Sequence, residues 1–95
     1  MTPQAKTIVT ECAAEHGIDK SALMDCKFAA PARKKVWYLL RARNPLAYSY
    51  QRIGRDFGRH HTTIMHGVKK IKMLIRKDTA TARHMHALKQ QLGVR

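Results

Sequence analysis

The feature that most constrains this chain is an apolar stripe, Ile64, Val68, Ile71 and Ile75, spaced four, three and four residues apart. An α-helix turns once in ~3.6 residues, so these side chains share one face. A strand, whose side chains alternate, would scatter them. Such a face must be covered, and the covering elements are other helices or a sheet. Lys69, Lys70, Lys72, Arg76 and Lys77 flank the stripe. The helix is therefore buried along one side and cationic along the rest.

The remaining chain offers helices and no convincing strand. Thr2 and Pro3 suit the cap and first position of a helix over about 3–16, with Ile8, Val9, Cys12 and Ala13 on one face and Gly17 as its stop. Asp19 caps a short helix over about 20–26, with Leu23 turned inward. Residues 26–30 read as a loop. Pro31 opens a helix over about 31–43 that buries Val36, Leu39, Leu40 and part of Trp37 or Tyr38, and Asn44-Pro45 ends it, because a residue before proline avoids the helical region. Ser49 caps a helix over about 49–57 with Ile53 and Phe57 on one face and Gly58 as its stop. The striped helix starts near His61 or Thr62, with either threonine, Thr62 or Thr63, expected as its cap, and runs to about 77. A last helix over about 80–92, capped by Thr79 or Thr81, carries Ala82, Met85, Leu88 and Leu92. It packs back on the bundle or extends beyond it. The expected fold is all-α, a single helical domain over residues 1–95 with a helix-turn-helix at about 49–77.

Charge narrows the function. The 95 residues hold 19 Lys+Arg against 6 Asp+Glu, a net +13. Residues 27–77 contain fourteen basic residues and one acid, Asp56, so the whole excess lies across the helix-turn-helix. Self-repulsion of that size points to a polyanionic partner. The cations alternate with apolar residues, as on a folded surface rather than a basic tail. Cys12 and Cys26 are too few for a disulfide framework, and Cys12 is expected as a buried thiol. No signal peptide is expected, and no apolar run of ~18 residues occurs. The expectation is a soluble cytoplasmic, nucleoid-associated protein with no membrane partner and no cofactor.

Three chemistries compete for Phe57–His66, FGRHHTTIMH, which holds three of the six histidines. A metal site is disfavoured. His61 and His66 are five apart, which on a helix turns them roughly 140° away from each other, and no carboxylate stands nearby to orient them. Catalysis lacks partners, since four of the six acids lie in the first 26 residues. Asp56-Phe57-Gly58 matches a kinase tripeptide, but nothing else of a kinase fits in this length. Nucleic-acid recognition fits. Thr62 and Thr63 fall in the first turn of the second helix, where hydroxyls and methyls meet base edges. First-turn amides without helical partners favour phosphate. Arg59 reaches a phosphate or a base, and His60 and His61 donate or accept according to tautomer. His66 is expected to support or pack.

These residues carry a resemblance. Ile53–Ile71, IGRDFGRHHTTIMHGVKKI, is similar to the signature I-G-x-x-F-G-G-R-D-H-T-T-V-x-H-A-x-x-K-I of the C-terminal DNA-binding domain of the bacterial replication initiator DnaA. Ile53, Gly54, Phe57, Gly58, Arg59, His61, Thr62, Thr63, His66, Lys70 and Ile71 match. More loosely, ARKKVWYLLRARN resembles that family's ARQxAMYLxRELT helix, and the likeness extends back to Ile8. It implies a Trp-repressor-like helical fold and duplex DNA as partner. Arg59, His60, His61, Thr62 and Thr63 would read bases in the major groove. Lys27 aligns with an arginine that enters the minor groove, and Arg33 and Arg41 with positions that hold the backbone. Lys34 and Lys35 assist on charge grounds, Lys70 meets phosphate, and Arg52 makes the helix-turn-helix more basic than the family's.

This sequence departs from the signature in ways that bear on target choice. Gly-Gly is a single Gly58, the aspartate is His60, and Pro45–Tyr48 is about two residues longer. The aspartate would accept from a cytosine amino group, and His60 removes that anion. No Gly-x-x-x-x-Gly-Lys occurs, so these residues are expected to bind DNA without ATPase activity, as a stand-alone DnaA-like protein at DnaA-box-like sites, controlling transcription or replication. Two alternatives stay open: non-specific coating of DNA, and a protein-interaction module acting on the replication initiator.

Overall fold

The computed structural model describes residues 2–93. Six helices follow one another: α1 (Pro3–Glu15), α2 (Lys20–Asp25), α3 (Ala30–Arg43), α4 (Tyr50–Phe57), α5 (His61–Lys77) and α6 (Thr79–Leu92), with a 3-10 turn at Lys27–Ala29 before α3. No strand occurs among the described residues.

The helix boundaries follow from side chains that satisfy end amides. Thr2, Asp19 and Ser49 cap α1, α2 and α4 as expected, each accepting from a backbone N–H three residues on. Two expectations are corrected. Residues 26–30 are not an open loop: the 3-10 turn runs directly into α3, and Pro31 sits in its first turn, where its missing N–H costs nothing. Neither Thr79 nor Thr81 caps α6. Asp78 does, accepting from the Ala80 N–H at 3.2 Å, while the Thr81 hydroxyl donates to Asp78 at 2.7 Å. That hydroxyl, with the backbone amides, holds the Asp78 carboxyl below the usual carboxylate range.

The core gathers around α3, which packs on α1, α2 and α5. Val36, Trp37, Leu39 and Leu40 meet Ile8, Val9 and Cys12 on one side and Ile64, Val68 and Ile71 on the other. Burial pushes the Cys12 thiol up to about 12, so it sits in the core as a neutral thiol. The stripe of α5 is buried through Ile71, and Ile75 at its end is half-buried. Helix α6 folds back on the bundle through Met85 and Leu88.

Two glycines permit the close packing that sets the helix-turn-helix. A Cβ at Gly67 would lie 2.6 Å from the Trp37 ring, so α5 rests directly on that indole. A Cβ at Gly54 would lie 2.6 Å from the Arg59 carbonyl, so the turn presses against α4.

Candidate nucleic-acid interface

The turn between α4 and α5 is three residues, Gly58, Arg59 and His60. Gly58 takes φ 65°, a left-handed conformation that ends α4 at no steric cost. Its N–H and that of Arg59 close on the α4 carbonyls of Arg55 and Gly54.

The cap of α5 is His60, not a threonine. Its Nδ1 accepts from the Thr62 N–H at 3.2 Å and lies 2.7 Å from the Thr62 hydroxyl. Thus the Thr62 amide, expected to be open for phosphate, has a side-chain partner. Nδ1 can accept only while it carries no hydrogen, so capping places the imidazole hydrogen on Nε2. The His61 ring lies 4.3 Å from the His60 ring, tilted by 34°. With the cap supplied by His60, both threonines are free of that task, and the Thr62 and Thr63 side chains are exposed.

Along α5, His66 and Lys69 follow Thr62 on the outward side, and both are exposed. The packing role expected for His66 is therefore corrected: it lies four residues beyond Thr62, on the same face. The signal was that spacing, which measurement from His61 alone concealed. Lys70 is exposed and lines a groove of about 220 Å³ with Lys34, Lys35, Leu74 and Thr81. Lys34 passes Gly67 closely, with its Cγ 3.1 Å from where a Cβ would stand. Lys27 is exposed on the 3-10 turn.

The arginines are placed differently from the expectation. Arg33 is 5% exposed, and its Nη1 donates to the Leu23 and Cys26 carbonyls at 2.8 and 2.7 Å. Burial, then the neighbouring Arg59, lowers its pKa from the ordinary arginine value. A surface position holding the DNA backbone is thus not where Arg33 lies. Arg59 turns back to the Met24 carbonyl at 3.2 Å. Arg41 donates to the Pro45 and Tyr48 carbonyls and stacks 4.3 Å over the Tyr50 ring, fastening the segment between α3 and α4. Arg52 pairs with Asp56 at 3.5 Å and keeps 39% of its side chain exposed.

Among the described residues, no three His, Cys, Asp or Glu side chains form a group that could hold a metal, and no helix is long and apolar enough to cross a membrane. What the surface presents is hydroxyls, imidazoles and ammonium groups at one helix end and along its outer face. That set suits groove edges and phosphates.

Comparison with known proteins agrees. The family described as bacterial dnaA protein helix-turn-helix matches residues 5–71. Curated relatives include the chromosomal replication initiator protein DnaA of Rhodopseudomonas palustris (strain BisB18), 37% identical over 84 residues. Those of Bradyrhizobium sp. (strain BTAi1 / ATCC BAA-1182) and Nitrobacter hamburgensis are 37% and 36% identical over the same length. In each case the match covers 84% of this chain and 17% of the relative. No solved structure gives a significant match. The chain belongs to the bacterial DnaA helix-turn-helix family, a family of DNA-binding domains.

Proposed function

We propose that the chain binds duplex DNA sequence-specifically at DnaA-box-like sites and acts there in control of replication or transcription, without a catalytic step of its own. The observation that carries the reading is the exposure of Thr62 and Thr63 in the first turn of α5, released from capping by His60. With α5 in the major groove, Thr62, Thr63, His61 and the Nε2 side of His60 read base edges, and His66 follows one turn along. Lys27, Lys34 and Lys70 meet phosphates, as do the exposed faces of Arg41 and Arg52. Arg33 and Arg59 brace the platform on which the turn stands. A His60 cap in place of the family's aspartate offers a donor to the groove instead of an anion, which shifts preference toward bases presenting acceptors.

Selection of bound duplexes from a random pool at fixed salt tests this. A single recovered motif related to the DnaA box supports it. A pool that stays random while binding persists establishes non-specific coating instead. Binding that vanishes on nuclease treatment of an initiator pull-down supports DNA over the initiator protein as the direct partner.

A further inference from the structure

We propose that Lys35 is a covalent modification site, an amine that takes an acyl group from an acyl phosphate held in the groove beside it. The inference does not depend on what the helix-turn-helix binds. Lys35 stands apart from the other lysines by its neighbours. Its Nζ lies 3.2 Å from His16 Nε2 and 3.0 Å from His84 Nδ1. An ammonium only donates, so both nitrogens accept and each imidazole carries its hydrogen on the other nitrogen. For His84 that is Nε2, which faces a Glu15 carboxylate oxygen at 3.5 Å. A nucleophile, a base within hydrogen-bond reach and a third group that orients the base therefore adjoin. Three helices fix the arrangement, since His16 ends α1, Lys35 stands on α3 and His84 on α6.

An ammonium is no nucleophile until it gives up a proton, and the two imidazoles are placed to take it. Burial works in the same direction. It lowers the Lys35 pKa from the ordinary 10.5, against weaker pulls from Cys12 and Glu15.

The acyl donor is set by the groove. Lys35 borders a space of about 220 Å³ with Lys34, Lys70, Ile71 and Leu74. Among the described residues, neither Lys34 nor Lys70 is paired with a carboxylate. Two such ammonium groups over an apolar floor suit a phosphate joined to a short acyl chain. The step then balances without an oxidant. One ammonium proton passes to an imidazole and on to water. The freed Nζ lone pair attacks the acyl carbon. The bond from that carbon to the phosphate oxygen breaks, its electron pair leaves with the phosphate, and the second amine proton leaves on it as hydrogen phosphate. The amide that forms has lost the charge and keeps one N–H. It cannot serve both imidazoles, so α6 loses a tie to α3.

The test uses the whole chain and acetyl phosphate, with acetylation at each lysine followed over time by site-resolved mass spectrometry. Lys6 and Lys20 are exposed and do not line the groove. Lys35 should acetylate at least about tenfold faster than either, the low end for a positioned base. His84→Gln, which removes the base, should abolish most of that advantage. Lys34→Ala combined with Lys70→Ala should abolish it toward acetyl phosphate and spare it toward a neutral acetyl ester, which needs no anion site. Lys35 reacting no faster than Lys6 and Lys20 in wild type overturns the proposal, and that measurement needs no variant to fold. An advantage that survives His84→Gln, or one toward acetyl phosphate that survives the paired lysine substitutions, overturns it too.

Discussion

At the junction of α2, α3 and the turn before α5, Arg33 and Arg59 direct their guanidinium N–H groups at main-chain carbonyls. Along α5, Lys69, Lys70, Lys72 and Lys77 stand exposed. The two regions carry the same formal charge per residue and use it differently. A guanidinium has several donors in a planar fork and is weakly hydrated, so it can bridge carbonyls at the end of a short helix from a buried position. An ammonium is strongly hydrated and stays at the surface on a flexible stem, ready for a phosphate. A net charge of +13 therefore does not count phosphate contacts. Part of it is framework.

Removing one member of each class should give the largest effect. Arg33→Ala leaves the Leu23 and Cys26 carbonyls without their buried donor and should cost about 3 kcal/mol of folding stability, read by urea unfolding. Lys70→Ala should stay within about 0.5 kcal/mol of wild type in the same measurement. Equal losses would erase the division between framework and contact.

A smaller effect is expected on DNA binding. Lys70→Ala should weaken binding to matched and scrambled duplexes alike. The slope of log affinity against log salt should become shallower by about 0.9, the value for one lost phosphate contact. An unchanged slope would remove Lys70 from the interface.

The smallest effect concerns a third region, where Lys35 Nζ lies 3.2 Å from His16 Nε2 and 3.0 Å from His84 Nδ1, with Glu15 3.5 Å from His84. Both imidazoles accept from the ammonium only when those nitrogens are unprotonated. Burial first, then Lys35 and His84, lowers the His16 pKa from its ordinary 6.5, against a weaker opposing pull from Glu15. The unfolded chain therefore takes up this proton at higher pH than the folded one. Stability should fall as pH drops through 6.5 and level off once the folded imidazole also protonates. His16→Gln should flatten that part of the stability profile, measured by urea midpoints across the range. A profile unchanged by the substitution would contradict the assignment.

Much of the fold was legible because it rests on periodicity and punctuation. The α5 stripe, Ser49, Gly58 and Asn44-Pro45 each act within one turn of their own position. What escaped depends on distant neighbours. Gly67 reads as a weak spot in a helix until Trp37 is seen beneath it. The inward direction of Arg33 and Arg59 needs the carbonyl end of α2, many residues away in sequence. The caps of α5 and α6 escape because neighbouring polar residues compete for one position: His60 lies two residues ahead of Thr62, and Asp78 one residue ahead of Thr79. In the site, the threonines were legible from their first-turn place, and His66 was not, because its exposure follows from the direction in which α5 presents Thr62.

On the proposed function, the first turn of α5 discriminates between sequences. Its most direct test is the ratio of affinities for the selected duplex and a scrambled one at fixed salt, in wild type, Thr62→Ala and Thr63→Ala. At least one substitution should shrink that ratio by about 1–3 kcal/mol while leaving affinity for the scrambled duplex unchanged. Ratios that stay at the wild-type value in both variants would contradict base reading by the first turn of α5.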